Sequence, residues 1–248
     1  MQTSLPFVLA TMATLLLPLV VRWFGLRVQR LILILTDSQD AALYVYHFVL
    51  LPGTLLHEFA HWLTAKLLGV RTGHLTLMPE RKGNVARFGA VQIGASDPVR
   101  ASVIGAAPFF VGLAAATAIA RWRFGVTAAI PTSSAEASAL WQALRAAPDA
   151  ALWLYLILSV SNAMLPSASD RRSWHWVGLG LLVLIVALAL LGYLDRVLAP
   201  ALPWLTRIAD AIGFVGLLTI AGDLTAGLLA ILLERMVGAV SGRRVDVA

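Results

Sequence analysis

The chain has 248 residues, of which 59% are hydrophobic and only 13% charged, and its mean hydropathy is +0.82. A soluble domain carries about 25% charged residues, so the composition excludes an ordinary soluble protein and reads as an integral membrane protein. There is no cysteine, which excludes a disulfide framework and a thiolate metal site and leaves His, Asp or Glu to hold any transition metal. The net charge of +6 contains no basic block of five or more residues, so it points to anionic lipid headgroups as a partner and not to nucleic acid.

A spanning helix needs about 20 mostly apolar residues. Six segments meet this in chain order: roughly 4–22, 43–69, 101–120, 150–169, 175–194 and 211–235. The first lacks a Lys or Arg before Arg22 and a small-residue cleavage site, so it reads as a retained helix and not a signal peptide. Residues 24–41 include an apolar run too short to span, read as interfacial. The second span contains Pro52-Gly53, where it either kinks or restarts.

Residues 72–95 alternate apolar and polar positions around Glu80-Arg81-Lys82-Gly83-Asn84 and predict two short strands joined by that turn. Residues 133–147 open with Ser133-Ser134-Ala135-Glu136, a capping-box pattern, and predict an amphipathic surface helix. No connection is long enough to bury a core of its own, so residues 1–248 form one membrane-embedded domain. The fold class is an all-α polytopic membrane protein of about six transmembrane helices with a short cytosolic β-rich loop. The connection after the second span is the most basic, carrying Lys66, Arg71, Arg81, Lys82, Arg87 and Arg100, so it is placed in the cytoplasm and both termini with it. Small size and Ala/Leu/Arg-rich composition point to a bacterial plasma membrane.

Within the second span stands His57-Glu58-Phe59-Ala60-His61. Histidines four residues apart share one helix face and can chelate one ion. Glu58 lies about 100° around the axis, placed to reach a water beside the ion without being a ligand. Such an ion lowers the pKa of water from about 15.7 toward 7, and a carboxylate takes the proton and returns it to the leaving amine. The bland alternative, two histidines hydrogen-bonded in a polar core, leaves Glu58 buried without a partner at membrane depth.

A catalytic zinc takes three protein ligands and one open position. His47 and His74 are poorly placed to be the third. Asp170 and Asp223 compete for it. Asp223 sits mid-span, where an aspartate costs about 2.5–3.5 kcal/mol on insertion scales, so it can also be a buried polar contact or a gate, or face water. Tyr44, Tyr46 and His47 read as interfacial anchors near the end of the second span, with substrate contact as the alternative. Trp174-His175-Trp176 reads as part of an aromatic belt, with His175 alternatively a partner of a metal ligand.

HExxH within a span, followed two spans later by Asn162 and, eight residues on, Asp170, resembles the site-2 protease family of intramembrane zinc metalloproteases. The resemblance covers roughly residues 43–175. It implies His57, His61 and Asp170 as zinc ligands, Glu58 as the base, and Asn162 as a residue holding the substrate backbone. The loop at 72–95 is similar to the family's β-rich loop, which offers an edge strand to an unwound substrate. The chain departs from the family pattern at Pro166, four residues before the aspartate and not five, and at Arg171, which stands where the family has glycine. The implied activity is zinc-dependent endopeptidase cleavage of a transmembrane segment of another membrane protein. The alternatives are a non-catalytic scaffold, or a metal-binding or transport protein using the same ligands.

Overall fold

The computed structural model describes residues 4–76, 80–82, 85–87, 90–127, 130–131 and 133–241. Its first helix, α1 (Leu5–Thr36), begins with Pro6, whose missing N–H falls in a turn that has no use for it. It ends at Asp37, in the left-handed region at φ 56°, whose N–H caps the Leu33 carbonyl. The helix therefore takes in most of the 24–41 stretch that the sequence reading made a separate interfacial segment. A tertiary contact explains the extension: Arg27 and Arg30 reach Glu234, 3.4 Å away at Arg30 Nε.

The expected second span is two helices, α2 (Gln39–Val49) and α3 (Leu51–Leu67). Pro52 causes the break. It donates no N–H and its ring crowds the carbonyl four residues back, so the helix restarts at Leu51. After α3 come four short strands: β1 (Thr72–Thr76), β2 (Glu80–Lys82), β3 (Val85–Arg87) and β4 (Ala90–Ile93). β1 pairs antiparallel with β4, and β2 with β3. Glu80, Arg81 and Lys82, expected in a turn, are strand residues. The strands form two separate two-stranded ladders within an otherwise helical chain, and not a β-rich loop.

Asp97 caps α4 (Pro98–Phe124), accepting from the amides of Val99 and Arg100 at 3.0 Å each. Ser133 caps α5 (Ser134–Ala146) through the Glu136 amide, and α5 buries no residue. The chain then bends by 113° into α6 (Ala150–Ala163). Asp149 pins this corner by accepting from Arg123 of α4 and from the Trp153 indole. Last come α7 (Trp174–Leu190), which buries nothing, and α8 (Leu194–Ser241).

The protein is thus all-α in class, and its composition and helices fit a membrane protein. Three helices, α1, α4 and α8, are long and apolar enough to cross a bilayer, or four if α5 and α6 make one bent span. Six are not reached. At 1.5 Å per residue, the 14 residues of α6 rise about 21 Å and the 17 of α7 about 25 Å, against a hydrocarbon core of about 30 Å.

α1 and α8 pack side by side in the same direction. Ala13 lies opposite Gly216, Trp23 opposite Gly227, and Arg30 opposite Glu234. Small residues at this seam let the backbones approach. Leu5 and Ser241 therefore stand at opposite ends of the pair.

α6 also runs parallel to the end of α2 and to α3, in strict register. Tyr155 Oη donates to the Val49 carbonyl, Ser159 Oγ accepts from the Gly53 amide, and His57 Nδ1 meets the Ala163 carbonyl, each pair 106 residues apart. The approach is so close that a Cβ on Gly53 would stand 2.0 Å from the Ser159 carbonyl oxygen. Gly53→Val is expected to force the two helices apart at a cost of about 1–3 kcal/mol. In detergent this reads as a fall in Tm of about 2–12 °C. Gly178→Ala, where a Cβ meets nothing within 4 Å, should leave Tm within about 2 °C.

Candidate metal centre

His57 and His61 leave the same face of α3 one turn apart, with their Nε2 atoms 3.1 Å from each other. Each Nδ1 meets a backbone carbonyl of another helix: His57 that of Ala163 at 2.7 Å, His61 that of Ile104 at 2.9 Å. Local sequence frees both acceptors. Ala163 is the last residue of α6, and the final carbonyls of a helix have no intrahelical donor. Ile104 lies four residues before Pro108, inside α4. Pro108 has no N–H to give, so the Ile104 carbonyl turns to His61. A carbonyl can only accept, so each Nδ1 carries the proton and each Nε2 is left with its lone pair.

The third member is Asp170, in the turn that follows α6. The Ser167 amide donates to its Oδ2 at 2.7 Å, and its own amide donates to the Ser167 hydroxyl at 3.3 Å. α4 closes on this turn at Gly105, where a Cβ would stand 2.2 Å from the Asp170 carbonyl oxygen. Asp170 Oδ1 lies 3.3 Å from His61 Nε2, and Oδ2 lies 3.9 Å from His57 Nε2. Burial alone would raise the Asp170 carboxyl. The His61 ring and the hydroxyl and amide of Ser167 outweigh it and hold the group at about 2, so it is an anion at neutral pH.

In the neutral rings two Nε2 lone pairs converge with the carboxylate, and the position between them is one that a proton on His61 Nε2 or a metal cation fills. Among the described residues, His57, His61 and Asp170 form a group that could hold a metal ion, with all ligand atoms within 4.8 Å of one another. Ligands at about 2.0–2.2 Å in a tetrahedron stand about 3.3–3.6 Å apart. The two Nε2 atoms, 3.1 Å apart, and the nearest carboxylate oxygens, Oδ1 at 3.3 Å from His61 and Oδ2 at 3.9 Å from His57, lie close to that spacing.

Glu58 is 8% exposed and lines the same cavity as the triad. The backbone amide of Val91, in β4, hydrogen-bonds to it. The cavity, about 860 Å³, extends from the triad along one face of α3 and α2 through Thr54 and Leu50 to His47 and Tyr46.

The two aspartates that the sequence left in competition are separated: Asp170 joins the histidines, and Asp223 does not. Asp223 is 1% exposed and accepts from Asn162 Nδ2 at 3.0 Å. Asn162 is itself buried, gives its amide also to the Leu158 carbonyl at 2.9 Å, and does not line the cavity. His74 and His175 are exposed and outside the triad. Arg171 turns back to the Ser167 carbonyl, and Arg172, not Arg171, lines the cavity.

Sequence reasoning missed three contributors: Pro108, Ser167 and the Val91 amide. Pro108 alone carried a local signal, because a proline inside an apolar helix always frees the carbonyl four residues before it. Comparisons with protein-family models, curated proteins and solved structures give no match to this chain. The fold and the site therefore define its class by themselves: a helical protein with helices long and apolar enough to cross a membrane and a His–His–Asp group at the meeting of α3, α4 and the turn after α6.

Proposed function

We propose that this chain is a zinc-dependent intramembrane endopeptidase of the site-2 type, hydrolysing a peptide bond in a transmembrane segment of another protein. The observation that carries the reading is the convergence of both Nε2 lone pairs and the Asp170 carboxylate at a cavity that Glu58 also lines. Two imidazoles and one carboxylate with an open position suit zinc best. Bound there, zinc supplies Lewis acidity toward the substrate carbonyl and toward water.

The chain's own residues do the rest. The carbonyls of Ala163 and Ile104 hold both rings in the tautomer that leaves Nε2 free. Asp170 supplies negative charge and is held rigid by Ser167. The Glu58 carboxylate takes a proton from the attacking water and delivers it to the leaving nitrogen, and the Val91 amide keeps that carboxylate facing the cavity. β4, paired with β1 on one side, borders the cavity and offers an unwound substrate a strand to add to.

The surroundings support the reading of a membrane-embedded substrate. Polar ligands at such depth are tolerated only where protein or a water-filled cavity walls them, and this cavity lies between α3 and the spanning helix α4. The test is cleavage of a panel of tagged transmembrane helices co-reconstituted with the protein in liposomes. Cleavage should stop with a zinc chelator and return on adding zinc. A panel left intact by zinc-loaded protein would favour a non-catalytic metal-binding role.

A further inference from the structure

Asp223 has no part in the chemistry above, yet it is buried in the middle of α8 with one oxygen, Oδ2, lacking a hydrogen-bond partner among the described residues. Its Oδ1 accepts from Asn162 in the last turn of α6. One residue earlier in that turn, Ser161 accepts from Thr219 of α8 at 2.7 Å. One residue later, the Ala163 carbonyl holds His57 Nδ1. Three consecutive residues of α6 are therefore tied, two to α8 and the third to the metal-facing ring. A helix end frays unless held, and here the holding bonds come from α8.

We propose that Asp223 is a positioning residue for the His57–His61–Asp170 centre, acting through Asn162 and the Ala163 carbonyl. The inference rests on the metal-centre reading and goes beyond it by giving α8 a role in the site. Asp223 fixes the Asn162 side chain, Asn162 fixes the terminal turn of α6, and that turn sets the direction of the acceptor that orients His57. Partners of this kind, behind a metal ligand, typically change metal affinity about 10–100-fold. Asp223 stands two links further away, behind Asn162 and the Ala163 carbonyl, so the lower end of that range applies.

The experiment is the zinc Kd of the full-length protein in detergent, by chelator competition, together with the visible absorption spectrum of the cobalt-substituted form. Asp223→Leu should weaken zinc about tenfold and shift the cobalt bands. Leucine suits a spanning helix, so insertion is preserved. Asp223→Asn keeps an acceptor for Asn162 and should stay within about threefold of wild type. Asn162→Leu cuts the same link, so it should match Asp223→Leu, and the double variant should be no worse than either single. Wild-type affinity and an unchanged cobalt spectrum in Asp223→Leu overturn the proposal, even if Tm falls, because a purely structural aspartate gives that result. Multiplicative losses in the double variant also overturn it. Wild type that takes up no zinc overturns the metal-centre reading as well, whereas the other failures leave it standing.

Discussion

Protein purified in detergent and loaded with zinc is expected to carry about one ion per chain, and His57→Ala and Asp170→Ala are expected to lose it. The expectation follows from the ligand count. Each substitution removes one of three convergent donors, which costs more than the about 10–100-fold lost when only a partner behind a ligand is removed. The two variants fail for different reasons. His57→Ala leaves the Ala163 carbonyl without its donor and His61 as the lone imidazole. Asp170→Ala removes the anionic ligand and frees the Ser167 amide, while α3 and its rings stay as they are. Elemental mass spectrometry of metal per chain reads the outcome. Asp223→Leu, whose side chain lies outside the triad, should keep the stoichiometry at saturating zinc. Loss of metal in Asp223→Leu with retention in Asp170→Ala would reverse the assignment of the third ligand.

The parts of this site that sequence made legible are those that depend on short spacings. His57 and His61 are one turn apart wherever a helix forms, and Glu58 follows by the helix angle. Ser133 caps α5 through the Glu136 amide three positions on, so its role is written locally. The span count was not legible because it depends on partners far along the chain. Arg27 and Arg30 look like the end of a span, yet α1 runs past them, since Glu234 some two hundred residues later pairs with Arg30. The choice between Asp170 and Asp223 was equally non-local. Asp223 stands in an apolar helix and Asp170 among serines and arginines, and only the crossings of α3 with α6, and of α4 with the Asp170 turn at Gly105, bring one of them to the histidines. Asn162 illustrates the same limit, because its amide is committed to a residue 61 positions away.

Those crossings also explain why the site sits on helix ends and breaks. A regular helix has no carbonyl to spare for a histidine. The Ala163 carbonyl is free because α6 stops there, and the Ile104 carbonyl because Pro108 follows four residues on. Both ring orientations therefore rest on irregularities that would be a liability in lipid and are tolerable where protein covers them. The stop of α6 at Ala163, which leaves that helix shorter than a bilayer's thickness, is the same one that supplies His57 with its acceptor.

Glu58→Gln is expected to lower peptide-bond cleavage by about 10²–10⁴-fold while leaving one zinc per chain. Glutamine has nearly the size of glutamate, and its carbonyl oxygen can still accept from the Val91 amide that now holds the carboxylate. The cavity and the triad, to which Glu58 contributes no ligand atom, should keep their shape. What glutamine lacks is a site that can take a proton from water and release it to the leaving nitrogen. The measurement pairs the cleavage rate of a reconstituted transmembrane substrate with metal content in the same preparation. Lost cleavage with retained zinc separates the base from the ligands. Undiminished cleavage would remove Glu58 from the chemistry, and joint loss of zinc and cleavage would make it part of the metal site. A scaffold or a metal carrier built on the same three ligands has no proton to move, so its function would survive the exchange, and that difference makes this single substitution the sharpest division between an enzyme and its non-catalytic rivals.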